Sequence, residues 1–276
     1  NFQYMFNTMH LNRGTDVDGN LYFSEIGHLA GVSATDWSWS PLFADFDNDG
    51  NKDLFISNGL KRDLRNFDGV GEAAKYFKAV LEQYAKNKPG AEIPELRNLV
   101  EYDHLAAMLP SEPLENYMFR NLGEFNFKNK SEKWGLGQKT FSNGAAYGDL
   151  DNDGDLDLVI NNVDTVAYVY ENTATNVLAN NFLRIKLSDS QKPGSFFGTK
   201  VKVEVQGKSK YYEFSNTRGF YSSSEPIAHF GLGADTLVNT VSVYWLNGKT
   251  STIRNVTANQ ELVVDRSLAI ASTPVA

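Results

Sequence analysis

The residues best suited to chemistry are two runs of aspartates, which read DFDNDGNKD at positions 45–53 and DLDNDGDLD at positions 149–157. The second run follows the first at an offset of 104 residues, and both place carboxylates at their first, third, fifth and ninth positions. Carboxylates spaced so closely repel one another unless a cation offsets their charge. Because calcium accepts six to eight oxygen ligands in flexible geometry, the two runs predict two calcium sites.

The expected ligands alternate along each run. Aspartates at the first, third, fifth and ninth positions are expected to supply side-chain oxygens, and the seventh residue a backbone carbonyl. A glycine after the third aspartate permits the sharp turn that this requires. The ligands predicted for the first site are Asp45, Asp47, Asp49, Asn51 and Asp53. Those predicted for the second site are Asp149, Asp151, Asp153, Asp155 and Asp157.

The flanking sequence separates these runs from an EF-hand. An EF-hand loop begins in the same way, but it ends on a glutamate at the twelfth position and lies between two helices. Here the twelfth residues are Ile56 and Ile160, and the segments 54–57 and 158–160 have the composition of strands. Each loop is therefore expected to connect two strands. The alternatives are a metal-free acidic surface turn and a magnesium site, although magnesium prefers rigid octahedral coordination.

The internal repeat extends beyond the acidic loops. The same offset aligns four further pairs of identical residues: Phe23 with Phe127, Gly31 with Gly135, Ser38 with Ser142, and Asn58 with Asn162. These units resemble FG-GAP/VCBS repeats, the calcium-loop repeats of integrin-type β-propellers. The resemblance implies propeller-like blades. Since a propeller needs about four to eight blades, further blades are expected outside this sequence or in weakly marked segments.

The segment from 182 to 265 alternates apolar and polar residues, as strands do, with turns expected at 193–194, 206–207 and 247–248. This spacing is typical of a small sandwich or barrel. The segment resembles the ASPIC/UnbV domain through FGT at 197–199, GFYSS at 219–223, HFGLG at 229–233 and WLNG at 245–248. In combination with the repeats, it resembles secreted proteins of the Bacteroidetes type.

The predicted fold is mainly β, with integrin-type β-propeller-like repeats, a helical insertion and a small β-sandwich-like domain. The insertion is expected to lie between blades and to contain an amphipathic helix ending near residue 88, then a second helix from Pro94 to Pro110. The expected domains are a first repeat region at 1–59, the insertion at 60–117, a second repeat at 118–172, a linker at 173–181, the β domain at 182–265 and a tail or linker at 266–276.

Composition restricts the function classes. A net charge of −8 argues against nucleic acid as a partner, and two bound calcium ions would reduce that charge to −4. The sequence has no cysteine and no apolar run long enough for a membrane-spanning helix. Because such loops need abundant calcium, an extracellular or cell-surface location is expected, associated with the outer membrane in a bacterium. Without an initiator Met or a signal peptide, the chain is expected to be a piece of a longer protein.

No recognised catalytic motif is present, and the sequence favours a non-catalytic binding or scaffold module with a protein or glycan partner at the cell surface. The insertion is a candidate contact surface. His229 has three interpretations: a packed histidine, a ligand contact or a catalytic base. Trp37 and Trp39 are expected to pack on a sheet face, with sugar stacking as the alternative. The rival functions are a carbohydrate-active hydrolase or lyase and an accessory subunit of an outer-membrane assembly.

Overall fold

A computed structural model describes residues 6–63, 67–191, 196–215 and 217–271. Strands account for 40% and helices for 16% of the described residues, which confirms the mainly β class. None of the sheets formed by the described residues closes into a barrel. No described helix combines the length and the apolar character that a membrane span needs. The turn expected at 193–194 and the tail residues 272–276 lie outside the described part of the chain.

The described residues up to position 172 form eleven strands in four sheets. The strands are β1 (His10–Thr15), β2 (Leu21–Glu25), β3 (Ser38–Ala44), β4 (Asp53–Asn58), β5 (Leu114–Glu115), β6 (Tyr117–Asn121), β7 (Phe127–Asn129), β8 (Lys139–Thr140), β9 (Ser142–Gly148), β10 (Asp157–Asn162) and β11 (Tyr168–Tyr170). β1 and β2 form an antiparallel hairpin, and β5 pairs with β8. The two acidic loops connect β3 to β4 and β9 to β10, so the strands predicted on both sides of each loop are confirmed.

The internal repeat is visible in the backbone. Left-handed φ angles recur at equivalent positions: Gly31 and Gly135 (+74° and +79°), Asn48 and Asn152 (+56° and +64°), and Gly50 and Gly154 (+94° and +92°). Glycine tolerates this conformation because it has no Cβ atom, and asparagine because its short polar side chain can hydrogen-bond the local backbone. The two units therefore share a local fold as well as a sequence pattern.

Along the chain, the helical insertion falls between β4 and β6, which are neighbouring strands of the first sheet. The expectation that it separates two blades is therefore wrong. Strand order in that sheet is β3-β4-β6-β7, so β6 and β7 continue the sheet begun by β3 and β4. The second loop belongs to the separate sheet β11-β10-β9. The chain leaves the first sheet after β4 and returns to it at β6, because β6 pairs directly with β4. The domain boundaries at 59, 117 and 172 stay predictions.

A short helix, α1 (Gly27–Ala30), precedes the first sheet. The insertion contains one long helix, α2 (Phe67–Asn87), followed by a single 3₁₀ turn at Leu96–Asn98 and the short helix α3 (Tyr102–Ala107). The continuous second helix predicted from Pro94 to Pro110 is therefore wrong. The chain is extended at Glu101 (φ −81°, ψ 116°), which interrupts the helix just after the buried Val100. Whether the insertion contacts a partner stays a prediction.

The C-terminal part is built from strands, as predicted. After α4 (Ala174–Val177) come β12 (Asn181–Ser188), β13 (Lys200–Val205), β14 (Lys208–Glu213), β15 (Ala228–Gly233), β16 (Leu237–Tyr244), β17 (Lys249–Thr257), β18 (Gln260–Asp265) and β19 (Ile270–Ala271). They form a sheet β15-β12-β18 and a sheet β14-β13-β16-β17-β19. The fully buried Ile185, Val203 and Val241, from both sheets, belong to a single core. The segment expected to be a tail joins this fold, since β19 pairs with β17.

Candidate metal centres

The first acidic loop is a tight turn between β3 and β4 that directs its carboxylates inward. The backbone N–H of Gly50 donates to Asp45 Oδ2 over 2.9 Å, and that of Asn51 donates to Asp49 Oδ1 over 2.8 Å. The N–H of Asp49 donates to Asp47 Oδ1 over 3.2 Å. One oxygen of each of the three aspartates lies within 4.8 Å of the other two. The structure thus brings together three of the predicted ligands.

The second loop repeats this arrangement between β9 and β10. Gly154 N–H donates to Asp149 Oδ2 (3.0 Å), and Asp155 N–H donates to Asp153 Oδ1 (2.9 Å). Asp153 N–H in turn donates to Asp151 Oδ1 (3.3 Å). These three carboxylates also have oxygens within 4.8 Å of one another. The equivalent bonds show that the turn, and not a local coincidence, creates each cluster.

The ninth residue of each loop lies outside the cluster of three. Asp53 accepts hydrogen bonds from the backbone N–H groups of Phe46 (3.2 Å) and Asn121 (2.8 Å), one to each oxygen. Asp157 accepts the two equivalent bonds, both over 2.8 Å. These carboxylates fasten the end of each loop to its beginning, and they also bond Asn121 at the end of β6 and Asn172 just after β11. A carboxylate oxygen has more than one lone pair, so their role as closing ligands stays a prediction.

The seventh residues use their side chains differently. Asn51 donates its side-chain amide to Asp49 Oδ1 over 3.1 Å. The side chain of Asp155 accepts from the N–H and hydroxyl of Thr175 (2.7 and 2.9 Å) and from Asn48 Nδ2 (3.0 Å). The carboxylate of Asp155 therefore holds neighbouring segments together, while the carbonyl contribution expected from both residues stays a prediction.

Burial makes the first cluster costly to charge. It raises the pKa of Asp45 from 3.8 to about 7, and the pKa of Asp53 to about 8. Burial also raises the pKa of Asp47, with the nearby Asp49 carboxylate adding to the rise. Asp45 is 6% exposed, and its Oδ1 atom has no hydrogen-bond partner among the described residues. A buried carboxylate oxygen without a partner is a position at which a cation would restore a favourable interaction.

The second cluster shows the same electrostatic pattern in a weaker form. Burial raises the pKa values of Asp149, Asp153 and Asp155 above 3.8. For Asp149, the adjacent Arg184 guanidinium opposes that rise. Both loops therefore place ionisable carboxylates where the charged form is disfavoured in the absence of a cation.

Two arginines already offset part of this charge, and neither was expected from the sequence. Arg120 Nε lies 2.6 Å from Asp47 Oδ2, and its Nη2 lies 3.1 Å from Asp49 Oδ2. The nearly buried Arg184 has its Nη1 2.7 Å from Asp149 Oδ2 and its Nη2 2.8 Å from Glu225 Oε1. Arg184 alternates with apolar residues along β12, the pattern of an exposed strand position, yet it is buried. Its ion pairs with Asp149 and Glu225, both remote in sequence, offset the cost of burying its charge.

The donor sets fit a hard divalent cation. Each cluster offers carboxylate oxygens at the end of a sheet, held in place by backbone N–H groups, and no sulfur or imidazole ligand belongs to either. Oxygen-only sets of this kind suit calcium or magnesium better than transition metals. The first site could hold such an ion, and the unpartnered Oδ1 of Asp45 is one oxygen available to it.

Metal-free protein is expected to lose stability as the pH rises from about 4 to about 8. Because burial raises the pKa of Asp45 to about 7 and that of Asp53 to about 8, the folded state binds more protons than the unfolded state in this range. The free energy of unfolding therefore decreases as these carboxyls ionise. Urea unfolding in chelator at several pH values measures how steeply the free energy of unfolding falls with pH. Asp45→Asn should make this pH dependence shallower. Equal pH dependence in the variant and the wild type would show that Asp45 does not cause it.

Asn48 connects the two acidic loops to the C-terminal domain. Its Nδ2 donates to Asp155 Oδ1 (3.0 Å) and to the carbonyl of Gly154 (3.2 Å) in the second loop. Its Oδ1 lies 2.6 Å from Nε2 of His229, and its carbonyl accepts from the N–H of Gly233 over 2.8 Å. The HFGLG segment of β15 is therefore in direct contact with the first candidate metal loop.

Lysine and asparagine side chains complete this contact. Lys210 Nζ donates to the carbonyls of Gly50 (2.9 Å) and Gly231 (2.6 Å), one in the acidic loop and one in β15. Asn180 Nδ2 donates to the carbonyl of Asp47 over 2.8 Å. The segment 173–181, expected to be a linker, is consequently bonded to both loops through Thr175 and Asn180.

His229 is a packed histidine in this structure. It is buried, and burial together with the nearby Arg184 lowers its pKa to about 3, so the ring is neutral at physiological pH. Phe182 stacks on the ring with centroids 6.1 Å apart. Of the three interpretations left open by the sequence, packing against the acidic loop agrees best with these contacts. His104 contacts only the insertion residue Tyr76 among the ring pairs described, edge to face at 4.7 Å.

The two tryptophans of the first repeat pack at the junction with the C-terminal domain. Trp39 Nε1 donates to the carbonyl of Gly59 over 2.6 Å, and the Trp39 ring lies 4.6 Å from that of Phe220. Trp37 is tilted against Trp39 at 5.8 Å. These contacts agree with the expected packing role of the tryptophans.

The fold and the site define a class: a mainly β protein in which two repeated acidic loops contact a C-terminal β domain. Residues 105–160 match the family described as FG-GAP-like repeat, and residues 187–270 match the family described as ASPIC and UnbV. The resemblance to these two families is confirmed. Cartilage acidic protein 1 of Xenopus tropicalis is 28% identical over 228 residues, or 75% of this chain and 33% of the relative. The chain thus spans about a third of that curated relative's length.

Proposed function

We propose that this chain is an extracellular, calcium-binding, non-catalytic binding or scaffold module in which calcium has a structural role. The observation that carries the proposal is the pair of carboxylate clusters, which recur in the same register with the same backbone bonds. A single acidic turn is ordinary surface chemistry, whereas two equivalent turns that each gather three carboxylates favour a common ligand.

The FG-GAP-like match and the expected need of such loops for abundant calcium both support an extracellular location. FG-GAP repeats are typical of extracellular proteins, where calcium is present at millimolar concentration. The similarity to cartilage acidic protein 1 is consistent with this assignment. We extend the proposal to the fold: the sheets β3-β4-β6-β7 and β9-β10-β11 are propeller-type blades, and the C-terminal domain is a β-sandwich.

In the first site, Asp45, Asp47 and Asp49 would hold the ion, with Asp53 closing the loop. Bound calcium would supply the positive charge that these oxygens lack. The protein's contribution is the arrangement of the carboxylates by the turn at Asn48, whose side chain also joins the second loop and β15. Ligand binding at the loops is therefore expected to stabilise the contact between the repeats and the C-terminal domain.

Thermal unfolding in chelator and in calcium tests the proposal. At a calcium concentration about 100 times the dissociation constant, each site should add about 2.7 kcal/mol to the free energy of unfolding. Asp47→Asn and Asp151→Asn keep the side-chain shape but remove one charged ligand, so each should abolish most of one site's increment. Magnesium at the same concentration should give a smaller shift, because it prefers rigid octahedral sites.

Asp18→Asn is the matched control, since Asp18 is exposed in the hairpin turn between β1 and β2 and lies outside both clusters. This variant should retain the full calcium increment. A wild-type midpoint that is the same in chelator and in calcium would refute the calcium proposal. So would an increment that both loop variants retain unchanged.

A further inference from the structure

The segment between β14 and β15 presents an aromatic ring in a conformation that is costly to maintain. Tyr221 has a left-handed backbone (φ +47°) and is 96% exposed. For a bulky side chain this conformation is a genuine outlier, and such outliers persist only where the surrounding structure enforces them. An exposed ring does not offset that cost through burial. The strain therefore suggests a role in binding.

Hydrogen bonds and close packing fix the turn that carries Tyr221. The N–H of Arg218 donates to the carbonyl of Ser222 over 3.0 Å, and Ser222 Oγ donates to the carbonyl of Phe220 over 2.7 Å. The N–H of Phe220 donates to Ser40 Oγ over 3.1 Å, which attaches the turn to β3. The Phe220 ring lies 4.5 Å from that of Tyr221 and supports it edge to face. These contacts hold the backbone of the turn in place and present the Tyr221 ring to solvent.

Beside this ring is a cavity of about 350 Å³ between the turn and strands β9 and β10. Its described lining is uncharged and includes Asn143, Asn161, Phe220, Tyr221 and Ser222. Because none of the described lining residues is charged, a charged ligand would find no ion pair there, and the lining suits a neutral ligand. The volume is within the range of small-ligand sites.

An amide pair on the opposite wall offers directed hydrogen bonds. The register of β10 against β9 shifts between Ile160 and Asn162, and Asn161 occupies this irregularity. Bulges of this kind redirect side chains near binding sites. Asn161 Nδ2 donates to Asn143 Oδ1 over 2.7 Å, which leaves Asn143 Nδ2 as a donor and Asn161 Oδ1 as an acceptor with no partner among the described residues.

We propose that this cavity binds a neutral sugar unit of a glycan, with the ring of Tyr221 against the apolar face of the sugar and the Asn143–Asn161 pair bonded to its hydroxyls. A pyranose combines an apolar C–H face with adjacent hydroxyls, which matches an aromatic surface facing amides. This inference rests on the binding role proposed above and names its ligand class. It does not require calcium in the acidic loops.

Affinity electrophoresis and calorimetry with cellohexaose, xylohexaose, mannohexaose and laminarihexaose test the inference on the full chain. At least one of these neutral hexasaccharides should bind saturably. Tyr221→Phe should bind within about twofold of wild type, whereas Tyr221→Ala and Asn161→Ala should each weaken binding by about tenfold. Tyr211→Ala is the control, because Tyr211 is an exposed tyrosine of β14 outside the cavity.

Tyr221→Gly separates binding from folding. Glycine adopts positive φ without strain, so this variant should unfold at the same or a higher temperature while losing the sugar. Three results would overturn the inference: no binding of any hexasaccharide at millimolar concentration, unchanged binding by Tyr221→Gly, or a Tyr221-dependent dimer that binds no sugar. Failure of the calcium proposal would appear separately, in the melting curves with and without calcium.

Discussion

Replacing Arg184 by methionine is expected to lower the free energy of unfolding of the metal-free protein by about 3–5 kcal/mol. The guanidinium is nearly buried and lies 2.7 Å from Asp149, whose side chain is fully buried, and 2.8 Å from Glu225. Methionine fills similar space but leaves both carboxylates without a counter-charge. Asp149 is in the second acidic loop and Glu225 in the C-terminal domain, so the loss should destabilise their contact. Urea unfolding in chelator measures the decrease in the free energy of unfolding.

The size of this loss should depend on calcium. If the second loop binds the ion, the cation restores positive charge beside Asp149, and Arg184→Met should cost less stability in calcium than in chelator. Lys186→Met, on the same strand, is the control: Lys186 is exposed, and its Nζ lies 3.7 Å from Glu261. Its loss should cost less than about 1 kcal/mol. An Arg184 variant no less stable than the Lys186 variant would show that the buried pair contributes little.

The acidic loops could be predicted from sequence because their information is local. Spacing within nine residues determines which carboxylates converge, and the offset of 104 residues supplies an independent second copy. The strands beside the loops are likewise local patterns, and β3, β4, β9 and β10 all form as expected. The three-carboxylate clusters follow from the turn itself, since backbone N–H groups orient the side chains.

Contacts between remote segments could not be predicted in this way. Pairing of β6 with β4 depends on which strand edge is available after the insertion, and a linear pattern does not encode this. Arg184 had the sequence position of an exposed strand residue, but the carboxylates of Asp149 and Glu225 make its burial favourable. Asn48 had no role assigned from the sequence, yet it bonds the second loop and His229. These contacts form only in the tertiary structure, between segments that are far apart in the sequence.

The HFGLG segment is recognisable as a local sequence pattern, but its contact with the first acidic loop is a contact between remote segments. A substitution at Gly231 tests that contact. Sequence identified the segment through its family resemblance, while the structure gives a physical reason for one glycine. A Cβ atom at Gly231 would lie 2.1 Å from Asp45 Oδ2 and 2.7 Å from the backbone Cα and C of Asn48. Since backbone atoms cannot move away as a flexible side chain can, any larger residue must displace β15 from the first acidic loop.

Gly231→Ala is therefore expected to destabilise the protein by about 3–5 kcal/mol, combining the cost of overpacking with that of buried hydrogen bonds left unmade between Asn48 and β15. Hydrogen exchange provides a local readout, because the Gly233 amide donates to the Asn48 carbonyl and should exchange faster in the variant. Gly71→Ala is the control: apart from the backbone of its own helix, no atom of the described residues lies within 4 Å of its Cβ position in α2, so alanine should stabilise that helix by about 0.5–1 kcal/mol. If Gly231→Ala kept wild-type stability and slow exchange at Gly233, the contact between β15 and the acidic loop would be looser than the structure indicates, and calcium bound at that loop would have no direct route to stabilise the C-terminal domain.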